Sequence, residues 1–379
     1  MAVEFRVGVR GRGTAAQPPS RFDRVTLEPD AEALEPAEKG SIPTEYFRDT
    51  SRSIIARNDS PEVPFSYSLN PYRGCEHGCI YCYARPSHEY LGLSAGLDFE
   101  TKIFVKEQAP VLLRQELARP SWRGDRLAMS GVTDPYQPIE RRLGLTRRCL
   151  EVLADCRQPV ELITKSALVT RDVDVLSDLA RYRAAHVSLT ITTLDEPLRR
   201  ALEPRAATAD ARFDAVARLA GQGIPVGVMV SPAIPGLTDH EIPRILERAA
   251  EAGACFAGFI MLRLPHGVAA LFEAWLTEHA PAQRAKVLGR IRDVRSGCLT
   301  DARFGTRMRG EGPLADLDLQ MFHAARERAG LADDPPPLSN AAFRRPSRLG
   351  PLFDGLDAAP CSSARAGSPT RQPRWGAKP

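Results

Sequence analysis

The sequence lacks any long run of apolar residues. No window of its 379 residues approaches the ~20 consecutive apolar positions that a membrane-spanning helix needs. The first residues, MAVEFRVGVRGRG, also lack the apolar stretch of a signal peptide. We therefore expect a cytoplasmic protein that does not associate with a membrane.

Three further absences narrow the range of functions. The formal net charge is only +4, from 51 Lys and Arg against 47 Asp and Glu, and so small an excess does not by itself indicate nucleic-acid binding. The eight cysteines are too few for a disulfide framework. Neither GxGxxG after the first predicted strand nor GxxxxGK(S/T) occurs, so the motifs do not support dinucleotide or P-loop nucleotide binding.

What the sequence does contain is a repeated alternation of short apolar runs and helical segments. With 43% hydrophobic residues, the chain is able to bury a sizeable core. Strand followed by helix, repeated six times, predicts a parallel sheet with crossover helices. We expect an α/β fold, as a partial (β/α)6 barrel of TIM type, because only six units are countable. The predicted strands are 65–70, 126–131, 159–164, 186–192, 224–230 and 256–262, and the intervening helices are 107–118, 144–156, 172–183, 211–221 and 239–252.

The two ends of the chain differ in composition from its middle. Residues 1–59 sustain no apolar periodicity, which predicts an extended or partly disordered N-terminal extension. A core domain over 60–300 and a C-terminal helical segment over 301–331 follow. Residues 332–379 are rich in Pro, Ser and Arg and predict a disordered basic tail, with nucleic-acid affinity as the alternative interpretation.

The cysteines are unevenly placed. Cys75, Cys79 and Cys82 form a CxxxCxxC segment between the first predicted strand and the first helix, whereas the other five are scattered. In a parallel barrel this loop lies at the C-terminal face, where active sites are found. Three cysteines in a glycine-containing loop are not a core pattern, and a structural zinc site requires four ligands. His77 is an awkward fourth ligand, so the spacing favours an iron–sulfur cluster with one open iron.

The segment also resembles a known family. CxxxCxYC after a first strand is similar to the radical S-adenosylmethionine (SAM) superfamily, in which three cysteines hold a [4Fe-4S] cluster whose fourth iron chelates SAM. Four further segments resemble its spore photoproduct lyase-like branch and follow in the expected order at the ends of predicted strands. These are GVTDPYQPIE at 131–140, ITKSALVTRD at 163–172, LTITTLDEPLRRALEP at 189–204 and VMVSPAIPG at 228–236.

The resemblance implies roles for individual residues. Cys75, Cys79 and Cys82 are the expected ligands of the cluster, and Tyr81 matches the aromatic residue that packs on the adenine of SAM. Lys165 is expected to bind the carboxylate of SAM. The other expected SAM contacts are Thr133 and Asp134 for the aminoacyl group, Thr190 for the ribose and Ser231 for the adenosine. For Thr190 ordinary strand filling is an equal alternative, and Glu203 and Arg205 stay unassigned.

The resemblance further implies an enzyme that cleaves SAM to a 5′-deoxyadenosyl radical, with a flavodoxin- or ferredoxin-type reductant as partner. Nucleic acid is the substrate that the branch suggests, and modification of a protein side chain is an alternative. Members that repair thymine lesions place a hydrogen-donating cysteine where this sequence has Gly131, so their reaction does not carry over directly. Cys298 is a candidate radical partner, although an inert role is favoured. The competing interpretation is a non-catalytic metal-binding module that uses the cysteines structurally and the basic tail to bind nucleic acid.

Overall fold

The computed structural model describes residues 4–5, 11–22 and 42–347. Its main sheet contains seven strands in the order β12-β11-β10-β9-β8-β5-β4, and every neighbouring pair is parallel except β4 with β5. The strands are β4 (Ile55–Arg57), β5 (Tyr67–Leu69), β8 (Leu127–Met129), β9 (Val160–Thr164), β10 (Ala185–Thr190), β11 (Val226–Ala233) and β12 (Phe256–Met261). The expected α/β fold with a parallel sheet is confirmed.

Helices connect the parallel strands and cover the outer face of the sheet. They are α1 (Asp98–Thr101), α2 (Ala109–Leu117), α3 (Glu140–Leu143), α4 (Leu145–Cys156), α5 (Val173–Arg181), α6 (Glu196–Leu202), α7 (Ala209–Ala220), α8 (Ile242–Glu251), α9 (Val268–His279), α10 (Arg284–Asp293) and α11 (Pro313–Arg328). Single-turn to two-turn 3-10 helices occupy Arg85–Leu91, Ala167–Asp172 and Asp239–Glu241. Because both faces of the central strands are covered, every residue of β10 is buried.

Side-chain caps fix where two of these helices begin. The carboxylate of Asp195 accepts a hydrogen bond from the Leu198 backbone N–H at the start of α6, at 3.0 Å. The hydroxyl of Thr208 accepts one from the Ala211 N–H at the start of α7, at 3.2 Å. Such caps satisfy backbone donors that have no partner within the helix. They set the positions of the loop between β10 and α6 and of the loop between α6 and α7.

The strand ladder does not close into a full barrel in the described part of the chain, since it ends at β4 and β12. Residues 303–308, which we call the bridging segment, cross from the end of β12 toward the chain that precedes β5. The Met261 N–H donates to the Met308 carbonyl at 2.9 Å. The adjacent Arg307 pairs with Glu62 and donates to the Ser60 hydroxyl at 2.7 Å. The bridging segment thus links the last strand to the entry of the first.

Smaller sheets and terminal segments pack around this domain. Strand β3 (Glu45–Arg48) is parallel to β7 (Lys102–Val105), which is antiparallel to β6 (Tyr72–Arg73), and β1 (Glu4–Phe5) pairs with β2 (Ala16–Gln17). Of the predicted tail, residues 332–347 are described: the Ser339 N–H donates to the Arg183 carbonyl and Phe343 packs against the core. Residues 348–379 lie outside the described residues. Nowhere in the described ranges is there a helix with the length and apolarity to cross a membrane.

Candidate functional site

The cysteine loop begins just after β5 and β6, at the carboxyl end of the parallel sheet. Cys75 and Cys79 are buried, each 7% exposed, and Cys82 is half-buried. Backbone hydrogen bonds hold the loop at both sides of its first turn: the Cys75 N–H donates to the Phe99 carbonyl at 2.9 Å, and the Ile80 N–H donates to the Leu202 carbonyl at 3.0 Å. The backbone of the loop that carries the three predicted ligands is therefore fixed at two points.

The electrostatics of the three thiols indicate a shared space. Burial raises the pKa of each thiol, and the charges of Cys79 and Cys82 further raise the pKa of Cys75. Arg85 and Lys165 act in the opposite direction on Cys82, although burial dominates. Within the described ranges, no three His, Cys, Asp or Glu side chains are arranged to hold a single metal ion. Thiolates in a desolvated pocket repel one another, and a cationic iron–sulfur cluster offsets that repulsion, so the donor set fits such a group.

Arg85 hydrogen-bonds to the backbone of the cysteine loop. Its guanidinium is fully buried and donates to the Cys79 carbonyl at 2.9 Å and to the Gly78 carbonyl at 3.3 Å. The same group forms an ion pair with buried Glu100 at 2.5 Å. Because Arg offers five donors in a rigid plane, one side chain is able to fix several loop carbonyls at once.

The N-terminal segment 11–22 seals the outer side of this loop. The Gly13 N–H donates to the Glu100 carboxylate at 2.8 Å, and the Arg12 guanidinium donates to the Glu100 carbonyl at 2.9 Å. A Cβ atom at Gly13 would lie 1.6 Å from the Gly78 carbonyl oxygen, so only glycine permits this approach. Residues far from the cysteines in sequence therefore form part of their environment.

Thr133 supports the loop rather than the open site. Its hydroxyl donates to the Gly74 carbonyl at 2.5 Å and accepts from the Gln137 amide at 3.0 Å. The Gln137 side-chain oxygen accepts from the Glu76 N–H at 3.0 Å. This chain of hydrogen bonds joins the end of β8 to the backbone on both sides of Cys75.

The carboxylate of Asp134 is occupied by protein donors. It accepts from the Tyr136 N–H at 2.8 Å, the Thr164 hydroxyl at 2.7 Å and the Lys165 N–H at 2.8 Å, and it lies 3.3 Å from the ring of His77. Burial raises the pKa of Asp134, but His77 and these hydrogen bonds together lower it below its ordinary value. Asp134 thus orders the ends of β8 and β9 around the cysteine loop.

Tyr81 belongs to a buried network that sequence reasoning missed. Its hydroxyl donates to the carboxylate of Glu203, which also accepts from Thr192 at 2.8 Å and pairs with Arg212. Glu203 is fully buried and Arg212 is 1% exposed. Burial raises the pKa of Glu203, but Arg212, Lys165 and the hydrogen bonds lower it to about 2. The sequence shows only that a glutamate and several arginines follow the end of a strand. Their spacing does not indicate which arginine pairs with the glutamate.

Lys165 lies between this network and the end of β11. Its ammonium is 5.8 Å from the centre of the Tyr81 ring and donates to the Ser231 carbonyl at 3.3 Å. The hydroxyl oxygen of Thr192 lies 3.3 Å from the same carbonyl oxygen. Thr190, at the end of β10, is buried and its carbonyl accepts from Arg212 at 2.7 Å. Tyr81, Lys165, Thr190 and Ser231 therefore meet at one mouth of the sheet.

Arg205, Cys298 and Gly131 are the remaining residues that the sequence analysis discussed. Arg205, left unassigned, forms an ion pair with buried Glu76 at 3.1 Å. Cys298 is exposed, and its N–H donates to the Arg295 carbonyl. Gly131 follows β8 with a φ of +116°, and no atom lies within 4 Å of the position that a Cβ would occupy.

The sequence of this chain is similar to those of several known proteins. The model of the radical SAM superfamily matches residues 69–249. An uncharacterized protein of Mycobacterium tuberculosis is 36% identical over 221 residues, covering 58% of this chain and 65% of the relative. A radical SAM Nalpha-GlyT isomerase of Pseudomonas phage M6 is 27% identical over 211 residues, covering 55% of this chain and 42% of that protein. The chain thus spans just under two thirds of the mycobacterial relative.

Comparison of structures agrees at the level of the fold. A spore photoproduct lyase mutant aligns with a TM-score of 0.52 at 15% identity, covering 76% of this chain and 80% of the other. Spore photoproduct lyase complexed with dinucleoside spore photoproduct aligns with a TM-score of 0.51 at 14% identity and the same coverage. Residues 69–249, which carry the cysteine loop and Lys165, therefore belong to the radical SAM superfamily.

Proposed function

We propose that this chain is a radical SAM enzyme in which Cys75, Cys79 and Cys82 bind a [4Fe-4S] cluster. The observation that carries the proposal is the presence of three thiols in one loop after β5, two of them buried and one half-buried, inside the matched domain. When bound, the cluster and SAM supply a 5′-deoxyadenosyl radical through one-electron reduction of SAM. The protein contributes binding, orientation and exclusion of water.

The residues at the mouth divide this work. Tyr81, held by Glu203 and Thr192, presents a fixed aromatic ring to the adenine of SAM, and Lys165 offers its ammonium to the carboxylate. Thr190 and Ser231 bind the adenosine from the ends of β10 and β11. Thr133 and Asp134 act on the aminoacyl side by fixing the backbone of the cysteine loop and of Lys165.

The partners follow from the same chemistry. A reductant of flavodoxin or ferredoxin type supplies the electron, in the cytoplasm. A nucleic-acid substrate is supported by the shared fold with spore photoproduct lyase, whose complex holds a dinucleoside lesion. Because glycine offers no transferable hydrogen in a side chain at position 131, the proposal does not extend to the hydrogen-donating step of lesion repair.

The test is an anaerobic assay for 5′-deoxyadenosine. The purified chain is reconstituted with iron and sulfide, reduced with dithionite and mixed with SAM. Cys79→Ala serves as the site variant and Cys298→Ala, which alters an exposed cysteine outside the loop, as the matched control. We expect wild type and Cys298→Ala to form the product and Cys79→Ala to form none. A colourless wild-type protein that holds zinc and makes no product would refute the proposal in favour of a structural metal-binding module.

A further inference from the structure

Arg263 lies beside the cysteine loop and takes no part in the machinery described above. It follows β12 by two residues, and its guanidinium carbon is 5.6 Å from the centre of the Tyr83 ring. Tyr83 directly follows Cys82 and is 51% exposed. Arg263 therefore reaches the same mouth from the last parallel strand, on the side where the sheet is open.

The positive charge of Arg263 has no counterion within the described residues. The residue is half-buried, and its guanidinium donates a 3.3 Å hydrogen bond to the thioether of Met308. Glu62 is the carboxylate whose charge acts on Arg263, and it is already paired with Arg307. Burial and the neighbouring Arg307 lower the pKa of Arg263. A partly desolvated guanidinium without an acid is costly, and an incoming anion removes that cost.

Aromatic rings flank this unpaired charge. Phe304 is 59% exposed, and the Arg307 guanidinium lies 4.3 Å from the centre of its ring. Phe304, Arg307 and Met308 all belong to the bridging segment, which crosses the open side of the sheet. Exposed aromatic faces interleaved with arginines are typical of surfaces that bind single-stranded nucleic acid, where bases stack and cations hold the backbone.

We propose that Arg263 binds a backbone phosphate of a single-stranded nucleic-acid substrate, with a neighbouring base stacked on Phe304. This inference rests on the proposed function, because it defines the substrate class of that site. An acidic peptide would satisfy the guanidinium equally well, but its carboxylates would offer no flat group to the exposed faces of the Tyr83 and Phe304 rings. The observations therefore favour a strand that carries both phosphates and bases.

Binding is tested without turnover, by fluorescence anisotropy of a labelled 20-nucleotide single-stranded DNA on the reconstituted protein. We expect Arg263→Gln to weaken binding about tenfold or more, because the variant loses a charge-assisted hydrogen bond to the phosphate. The slope of log affinity against log salt should fall in magnitude by about 0.7, the value for one single-strand phosphate. Arg263→Lys should keep that slope. Arg181→Gln, which changes an exposed arginine of α5, is the matched control and should bind like wild type.

Two outcomes would overturn the inference. One is equal affinity and equal salt slope for wild type and Arg263→Gln. The other is competition by an acidic peptide of the same length as strong as competition by unlabelled DNA, which would indicate a protein partner. Formation of 5′-deoxyadenosine without substrate is measured on the same samples and should survive in Arg263→Gln. A wild type that binds DNA but makes no 5′-deoxyadenosine would refute the proposed function and leave the phosphate site standing, so the two failures are distinguishable.

Discussion

Replacement of Glu203 by Gln removes one charge from the fully buried network beneath Tyr81 while keeping the size of the side chain. The change leaves Arg212 buried without its carboxylate and weakens the bond from the Tyr81 hydroxyl. Removing one partner of a buried pair is far more costly than removing both, because the remaining charge stays desolvated. Glu203→Gln should therefore destabilise the domain without opening a cavity.

The magnitude follows from the ionisation of Glu203. Its pKa is about 2 in the folded chain against an ordinary value of 4.5, and one pKa unit corresponds to about 1.4 kcal/mol. The ionised carboxylate thus stabilises the folded state by about 3 kcal/mol, within the range for buried pairs. Since the folded pKa is lowered, this stabilisation is fully present above pH 4.5 and is lost as the pH falls toward 2.

Urea unfolding of the metal-free protein, followed by circular dichroism at several pH values, measures the effect. Glu203→Gln should lower the free energy of unfolding by about 3 kcal/mol at pH 7 and by progressively less below pH 4.5. The matched control is Glu196→Gln, whose carboxylate pairs with Arg199 at 2.7 Å but is 37% exposed, so its loss should be under about 1 kcal/mol. Equal losses in the two variants, or a loss for Glu203→Gln that does not change with pH, would refute the argument.

Three further predictions concern the cysteine loop and its surroundings. Gly13→Ala places a Cβ 1.6 Å from the Gly78 carbonyl oxygen, so residues 11–22 should leave the loop and become more sensitive to limited proteolysis; an unchanged digestion pattern would contradict the packing. Arg85→Gln removes the loop clamp and leaves Glu100 unpaired, so the iron retained after reconstitution should fall although all three cysteines remain, and wild-type iron content would show that the clamp is dispensable. Burial lowers the pKa of His88 to about 4, so the neutral ring favours folding and its contribution is lost as the pH falls from 6.5 to 4. His88→Gln should make the thermal stability less dependent on pH over that interval. A variant with the pH dependence of the wild type would contradict the lowered pKa of His88.

The parallel strands could be predicted from the sequence because each contains a short run of mostly apolar or β-branched residues. The predicted strand at 159–164 matches Val160–Thr164, and the predicted strand at 126–131 contains Leu127–Met129. Strand β3 could not be found in this way, because all its residues are exposed and show no alternation. Its position depends on pairing with β7, a contact between distant parts of the chain.

In the candidate site, too, some features could be predicted from the sequence and others could not. The three cysteines are close in sequence, so their spacing alone placed them in one loop. Glu203 and Arg212 are nine residues apart on different elements, and no periodicity connects them. Thr133 and Asp134 were expected to contact the cofactor, yet their polar atoms bond the loop and the β9 end, because nearby backbone donors and acceptors compete for short side chains.

The linear order of the sheet has a consequence for the time course of synthesis. Within the main sheet, each strand from β5 to β12 hydrogen-bonds with the main-sheet strand that precedes it in the sequence. Pairing is therefore able to keep pace with the ribosome. The contact between Arg307 and Glu62 joins residues 245 positions apart and forms only when nearly the whole domain has been translated. The cysteine loop is thus translated early, while the side of the sheet crossed by the bridging segment stays uncovered for most of synthesis.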